Sequence, residues 1–203
     1  HSYATGAVTG SGTDGSGIGG LVGYSEADTV NNSYATGNVS GSGNFVGGLA
    51  GSNSGNIDSS YASGSVNGAN SVGGLVGINA GGTVSKSYAT GNTAGSGNVG
   101  GLVGYDDNNS IVSNSYATGN VSGSNAIGGL IGVNNGTAAV SNSYAVGTVS
   151  GTSVGGLIGF NSGTITNGYW DTQTSGQSAG IGGTINLTGA TGLTTAQLKA
   201  KLP

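Results

Sequence analysis

Three short sequence elements recur in one fixed phase along this chain of 203 residues. The first is Ser-Tyr-Ala-Thr-Gly or a close variant, and the second is Val/Ile-Gly-Gly-Leu, followed by Val, Ile or Ala and then Gly. The third is a single Ile or Val four residues before each tyrosine from the second onward. Successive tyrosines lie 25 to 31 residues apart and successive leucines 26 to 28. Because all three markers keep the same phase, the chain is a tandem repeat, which restricts it to stacked-repeat architectures.

Each repeat consists of short runs rich in Val, Ile and Tyr, separated by Gly, Asn and Ser, and shows no helical period of 3.6 residues. One such unit cannot bury its apolar face alone, but stacked units share a continuous core. The sequence therefore predicts an all-β fold, a β-solenoid (β-helix) of six to seven coils with about 27 residues per coil.

The composition fits such a stack and excludes several functions. Charged residues make up 5% of the chain, and columns of identical positions would otherwise bring like charges together. With three Lys and no Arg, the chain lacks the cations that nucleic-acid binding requires. It has no Cys for disulfides or thiol chemistry, and no 18-residue apolar run, so we expect no membrane insertion.

Strand alternation predicts which side chains of the tyrosine element face outward. Around Tyr88, one parity contains Lys86 and Thr90, whereas the other contains Ser87 and Ala89. A lysine without a partner charge is disfavoured in a core, so the small residues are predicted to face inward. The opposite orientation, with Lys86 at a corner, stays open. The preferred orientation gives an outer column that can serve as an interaction surface, formed by Tyr3, Tyr34, Tyr61, Tyr88, Tyr116 and Tyr144 and flanked by Thr36, Thr90 and Thr118.

The Gly-Gly-Leu element is apolar on both strand parities. Its leucines form a predicted core column of Leu21, Leu49, Leu75, Leu102, Leu130 and Leu157. Either the Gly pair bends the strand so that both parities reach the core, or one parity forms an exposed apolar stripe suited to side-by-side packing. We interpret the glycines as tight corners and close backbone contacts rather than a phosphate loop, because no helix, Lys or downstream acid accompanies them.

Few residues are available for catalysis or for metal binding. The seven acids lie mostly in the connections, and no pair recurs in phase, so we expect no enzymatic activity and no cofactor. The pair Asp106 and Asp107, followed by two asparagines, is the strongest candidate for a cation loop, but the repeat pattern of calcium-binding β-rolls is absent and a solvated turn is the preferred interpretation.

The two ends of the chain differ. Thr194 and Gln197 form a capping box that predicts a short helix near 195–201 within a C-terminal cap at 171–203, after solenoid repeats at 1–170. At the other end the sequence enters in mid-repeat at His1, so we expect an open coil edge there.

The repeat unit Ile/Val-x-Asn-Ser-Tyr-Ala-Thr-Gly-x-Val followed by Val-Gly-Gly-Leu-Val-Gly resembles the GLUG-motif repeat of bacterial surface proteins. The resemblance covers residues 1 to about 170. It implies a secreted or cell-surface location and a role in adhesion, as in large adhesins, filamentous-haemagglutinin-like proteins and the non-catalytic parts of some IgA-cleaving peptidases. It supplies no catalytic residues.

We therefore predict a non-enzymatic structural and adhesive module of a bacterial extracellular protein, with other protein chains or surface glycans as partners. Three alternatives are retained: a filament subunit that polymerises through its open edge, a glycan-binding solenoid, and an ice-binding solenoid. The bulky tyrosine beside each threonine argues against ice binding.

Overall fold

The computed structural model describes residues 1–11, 17–184 and 188–201. They form a parallel β-solenoid of about seven turns, with about 27 residues per turn, and a C-terminal helix. The predicted all-β solenoid is thereby confirmed. No helix in these ranges has the length and apolar character needed to cross a membrane.

The strands of the first half of the chain are β1 (Tyr3–Ala4), β2 (Val8–Gly10), β3 (Gly17–Gly19), β4 (Val22–Ser25), β5 (Thr29–Asn31), β6 (Tyr34–Ala35), β7 (Val39–Gly41), β8 (Phe45–Gly47), β9 (Ala50–Asn53), β10 (Asn56–Asp58), β11 (Tyr61–Ala62), β12 (Val66–Asn67), β13 (Ser71–Gly73), β14 (Val76–Ala80), β15 (Thr83–Ser85), β16 (Tyr88–Ala89) and β17 (Thr93–Gly95). The remaining elements are β18 (Asn98–Gly100), β19 (Val103–Asp107), β20 (Ile111–Ser113), β21 (Tyr116–Ala117), β22 (Val121–Gly123), β23 (Ile127–Gly128), β24 (Ile131–Asn134), β25 (Ala139–Ala145), β26 (Val149–Ser150), β27 (Val154–Gly155), β28 (Ile158–Asn161), β29 (Thr164–Asp171), β30 (Ile181–Thr184), β31 (Ala190–Leu193) and α1 (Thr195–Lys201).

Equivalent strands of successive coils pair in parallel and build four sheets. Sheet 1 contains the tyrosine strands and the strands that precede them, from β1 and β5 through β25 to β29 and β31. Sheet 2 runs from β2 to β26, sheet 3 from β3 to β27, and sheet 4 from β4 to β30. Within each sheet the register aligns like with like, for example Tyr34 with Tyr61 and Val46 with Val72.

Two separate hydrophobic cores lie between these sheets. The larger core combines the leucine column with inward residues of sheets 1 and 4, among them Ala62, Ile57 and Val76. The smaller core is a nearly pure valine and isoleucine layer between sheets 2 and 3, represented by Val39 and Val46. Both parities of the Gly-Gly-Leu element are buried, because the leucines and the branched residues that follow them both enter the larger core. The predicted bend is thus present, and an exposed apolar stripe in this element is wrong.

Sheets 3 and 4 meet across a seam that contains only backbone. A Cβ atom built on Gly77 of sheet 4 would lie 2.6 Å from the Val46 amide nitrogen of sheet 3 and 2.6 Å from Gly51 O. A Cβ atom built on Gly47 of sheet 3 would lie still closer to the sheet-4 backbone, at 2.0 Å from Ala50 O and 2.7 Å from Gly77 N. Such distances leave no room for any side chain, so the glycines of the motif are required for close approach, as the sequence predicts.

The stack continues through β30 and β31 before it ends at α1. Trp170 occupies the inward position held by Ala145 one coil earlier and is 7% exposed, and its Nε1 donates to Gln177 O at 3.0 Å. The helix begins as the capping box predicts, with the Thr194 amide donating to Gln197 Oε1 at 2.9 Å. Leu198 is the buried residue of this helix, which packs against β29 and β31.

Candidate functional site: the tyrosine column and its groove

The tyrosines of successive coils stack on one another outside sheet 1. Ring centroids from Tyr34 to Tyr144 are 4.9 to 5.0 Å apart with interplanar angles of at most 9°, and Tyr3 continues the stack at 5.3 Å and 14°. The alanine that follows each tyrosine in coils two to six faces the core and is at most 1% exposed. In this element the small residues therefore face inward and the tyrosines face outward. Thr36, Thr90 and Thr118 are exposed beside the tyrosines.

A left-handed residue two positions before each tyrosine sets this orientation. It is Asn32, Ser59, Lys86, Asn114, Asn142 or Asn167, with φ between 47° and 53°. The turn reverses the strand parity, so that Ile57 and Tyr61 share a parity in sequence although Ile57 is buried and Tyr61 faces outward. Asparagine tolerates this conformation best among non-glycine residues, which explains why it holds four of the six positions.

A buried serine column supports each of these turns. The hydroxyl of Ser87 donates to Ser85 O at 2.7 Å and accepts the Ser60 amide of the preceding coil at 3.1 Å. The same pair of bonds recurs at Ser33, Ser60, Ser115 and Ser143. Each serine thus satisfies a turn carbonyl and a neighbouring amide, and it holds the adjacent ring at its place in the column.

The stack determines what the column can offer to a ligand. Most ring faces are covered by neighbouring rings, so the accessible parts are the ring edges and the hydroxyl groups. Burial raises the pKa of Tyr88, Tyr116 and Tyr144 above its ordinary value of 10.0, which keeps these hydroxyls neutral and able to donate. The column is therefore a polar, hydrogen-bonding edge rather than a row of open aromatic platforms.

A groove of about 510 Å³ follows the C-terminal half of the column. Its walls are three tyrosines and three left-handed asparagines, with Lys201 of α1 at one end, and the full lining is Asn114, Tyr116, Asn142, Tyr144, Asn167, Tyr169 and Lys201. The ammonium of Lys201 lies 5.1 Å from the Tyr169 ring centroid, and Asn167 Nδ2 donates to Asn142 Oδ1 at 3.0 Å. The groove combines exposed amides, phenol hydroxyls and one cation.

The predicted cation candidates do not converge. The Asp106 side chain is fully buried, where it accepts hydrogen bonds from Asn79 and Ser110, whereas Asp107 lies at the surface and accepts from Asn135 Nδ2 at 3.0 Å. Over residues 1–11, 17–184 and 188–201, no three His, Cys, Asp or Glu side chains come together. The two adjacent carboxylates thus point to opposite faces of β19, as strand alternation requires.

A small polar cluster joins two coils beside the tyrosines. Asp58 accepts hydrogen bonds from Ser85 Oγ at 2.6 Å and Ser59 Oγ at 2.8 Å, and the Lys86 ammonium lies 4.0 Å from its Oδ1. The bonds from Ser85 and Ser59 hold the pKa of Asp58 below its ordinary value of 3.8. Sequence reasoning places Lys86 outward but misses this partner, because the two residues are 28 positions apart and meet only through coil stacking.

The repeat has the sequence of a known motif. The model of the GLUG motif matches residues 14–40, 68–94 and 95–122. These segments are GLUG repeats. The last two matches end within sheet-2 strands, β17 and β22, so one GLUG repeat supplies residues to all four sheets.

Among solved structures, the chain is similar to the crystal structure of a protein described as a putative immunoglobulin A1 protease from Bacteroides ovatus. The TM-score is 0.60 and the identity 20%, over 97% of this chain and 67% of the other. At this identity the likeness shows a shared solenoid fold. No curated protein matches the chain.

Proposed function

We propose that this GLUG solenoid is a non-enzymatic structural and adhesive module of a bacterial extracellular protein. It presents the tyrosine column and its groove to surface glycans or to other protein chains. The observation that carries the proposal is the groove itself, where amides and phenol hydroxyls repeat at the spacing of the coils beside a single cation. Repeated neutral donors and acceptors suit a repeating polar polymer, which gains affinity from several equivalent contacts.

The chemistry of the chain supports binding more than catalysis. Catalytic sites bring titratable groups within hydrogen-bonding reach of one reacting atom. Among the residues that the structure describes, the groove lining contains one cation and no carboxylate. We therefore propose that the module binds its partner without altering it.

A glycan array probed with the full 203-residue chain tests this proposal. The informative variant replaces Asn114, Asn142 and Asn167 by Gly, which removes three groove amides and still accepts the left-handed backbone. A matched control replaces the exposed, left-handed Asn108 and Asn109 by Gly outside the groove. We expect the triple variant to lose at least about tenfold in affinity, near 1.4 kcal/mol, and the control to bind as the wild type does. Equal binding by both variants would contradict a role of the groove, and a wild type that binds no glycan would leave other protein chains as the partner.

A second proposal, self-association through the first coil, rests on a different observation. Leu21, Val22 and Val30 are only partly buried, whereas their equivalents in later coils are fully buried. Edge strands with an incompletely covered apolar layer favour pairing with a further β-segment. Sedimentation velocity and electron microscopy over a concentration series should reveal end-to-end oligomers. A monomer at every concentration would refute filament formation by this chain.

A further inference from the structure

A buried polar column runs through sheet 4 next to the larger core. It lies four residues after each leucine, and its members from the second coil onward are fully buried: Asn53, Asn79, Asp106, Asn134 and Asn161. Neighbouring members are in register, one per coil. A buried amide needs partners for both its oxygen and its nitrogen, so this column must be hydrogen-bonded along its length.

The hydrogen bonds of the column run in one direction. Asn53 Nδ2 donates to Asn79 Oδ1 at 2.7 Å, and Asn79 Nδ2 donates to Asp106 Oδ1 at 2.8 Å. Further along, Asn134 Nδ2 donates to Asn161 Oδ1 at 2.7 Å. Asn53, Asn79 and Asn161 also donate to loop carbonyls, as Asn79 does to Gly82 O at 3.1 Å. At these three junctions the amide nitrogen of one coil donates to the side-chain oxygen of the next coil, so the direction of donation is the same along the column.

Asp106 interrupts this series of hydrogen bonds, because it has a carboxylate oxygen, Oδ2, in place of an amide nitrogen. Its Oδ1 accepts from Asn79 and, at 2.7 Å, from Ser110 Oγ, but its Oδ2 stands where the other members carry an amide donor. In the described part of the chain, Asp106 Oδ2 has no hydrogen-bond partner, and neither does Oδ1 of Asn134, the next member of the column. Two buried acceptors are therefore left at the one junction that lacks a donor, and a single proton would satisfy both.

We propose that Asp106 is protonated in the folded protein and that its Oδ2–H donates to Asn134 Oδ1, which makes the junction between these two coils pH-sensitive. Over the described ranges, no cation favours this carboxylate. The strands that pack most closely against β19 contain no titratable residue; they are β8, β13, β14, β18 and β24. On β19 itself the titratable neighbours are Tyr105 and Asp107, and neither is basic.

The electrostatics agree with the geometry. Burial raises the pKa of Asp106 to about 7, against the hydrogen bonds from Ser110 and Asn79 that lower it, and the charge of Asp107 adds to the rise. In the unfolded chain the group titrates near 3.8. Between these two values the folded state holds one proton more than the unfolded state, so stability falls as pH rises from about 4 to 7 and is constant above that window.

Thermal unfolding followed by circular dichroism from pH 5 to pH 9 tests the proposal. The wild-type midpoint should fall by about 5–10 °C between pH 5 and pH 7 and level off above pH 7, because a buried carboxylate then faces the Asn134 oxygen. The Asp106→Asn variant restores the residue found at the other four positions and should unfold at the same temperature across this range, above the wild type at pH 9. The matched control Asp107→Asn should keep the fall of the midpoint with pH, moved slightly to lower pH because the Asp107 charge no longer adds to the rise of the Asp106 pKa. Asp58 and Asp171, whose pKa values are lowered, titrate below this range.

The carboxyl ¹³C resonance of Asp106 gives a direct reading of the same proton. A chemical shift typical of the acid form at pH 5 that moves to the ionised form near pH 7 supports the proposal. An ionised carboxylate at pH 5 would overturn it, and would indicate that the Asn134 amide is turned so that it donates to Asp106. An unfolding midpoint that rises with pH would also overturn the proposal. So would a midpoint that rises on addition of Na⁺, K⁺ or Ca²⁺, because a cation would then hold the two oxygens.

Discussion

Thr93 shows how one residue can depart from a repeated position. It is in register with Val66 and Val121 in the smaller core, where it is 1% exposed. In the described structure its hydroxyl oxygen has no hydrogen-bond partner. A buried hydroxyl without a partner loses its bonds to water and gains nothing in return, so this position carries an avoidable cost.

We expect Thr93→Val to raise the free energy of unfolding by about 1–2 kcal/mol, because the change removes the unpaired hydroxyl and nearly keeps the volume. Urea denaturation of both proteins measures the difference. Thr90→Val is the control: its side chain is exposed beside the tyrosines, and the change should stay within about 0.5 kcal/mol. An equal or lower stability of Thr93→Val would show that the hydroxyl has a partner.

Other single residues mark the limit of what the sequence predicts. The inward position of Thr93 follows from strand alternation, and so does the outward position of Tyr88. The asparagine column does not emerge as easily, although each member lies four residues after a leucine, because the connections that follow differ in length and hide the phase. The left-handed turns before the tyrosines are also visible in the sequence, because four of the six residues at this position are asparagine.

At the level of elements, the glycine seam decides the cross-section of the coil. Sheets 3 and 4 approach so closely that backbone meets backbone, and this contact separates the two cores. The sequence indicates that the Gly pair forms a corner, but not that the third glycine of the motif faces another sheet. Which sheets meet depends on contacts between segments that local patterns do not encode.

Gly77→Ala should destabilise the fold by about 1–3 kcal/mol, because the added Cβ would lie 2.6 Å from backbone atoms of both Gly51 and Val46, which have no flexible end to move. Gly6→Ala is the matched control, since nothing lies within 4 Å of its Cβ position. Thermal and urea unfolding of the two variants provides the comparison. Equal unfolding midpoints of the two variants would mean that sheets 3 and 4 can move apart without loss of stability.

The C-terminal cap contains one element that the sequence predicts and two that it does not. The helix is determined locally by its capping box, and its bounds Thr195–Lys201 agree with the prediction. The strands β30 and β31 form only because β28 and β29 offer them an edge. Asp171 joins these parts: burial opposes its ionisation, but hydrogen bonds from Thr195, Gln173 and Thr174 outweigh that effect and lower its pKa.

At the scale of the whole molecule, each coil contacts mainly its two neighbours, so stability accumulates from coil to coil rather than from one central core. The two aspartates at 106 and 171 then act on different parts of the stack with opposite dependence on pH. Asp171 stabilises the cap above its unfolded pKa and loses this contribution in acid, whereas a protonated Asp106 stabilises the middle of the array in acid.

The leucine column allows a test of this coil-by-coil stability within one chain. Leu102 is fully buried and has stacked neighbours on both sides, whereas Leu21, in the first coil, is only partly buried. Both leucines make the same bond to the next coil, with Leu21 N donating to Leu49 O at 2.9 Å and Leu102 N to Leu130 O at 2.8 Å. We expect Leu102→Ala to cost about 2–5 kcal/mol and Leu21→Ala less than half as much, because the first coil already exposes part of its apolar layer.

Urea unfolding measures both costs, and native-state hydrogen exchange places them along the stack. In the wild type, the amide of Leu21 should exchange faster than that of Leu102, and Leu21→Ala should accelerate exchange in the first coil while the amides around Leu102 stay protected. Leu102→Ala should instead accelerate exchange in the coils on both sides of it, because each of them loses a packed neighbour. Equal costs and a uniform exchange pattern for the two variants would show that the solenoid unfolds as one indivisible unit, with no gradient of stability from its first coil to its middle.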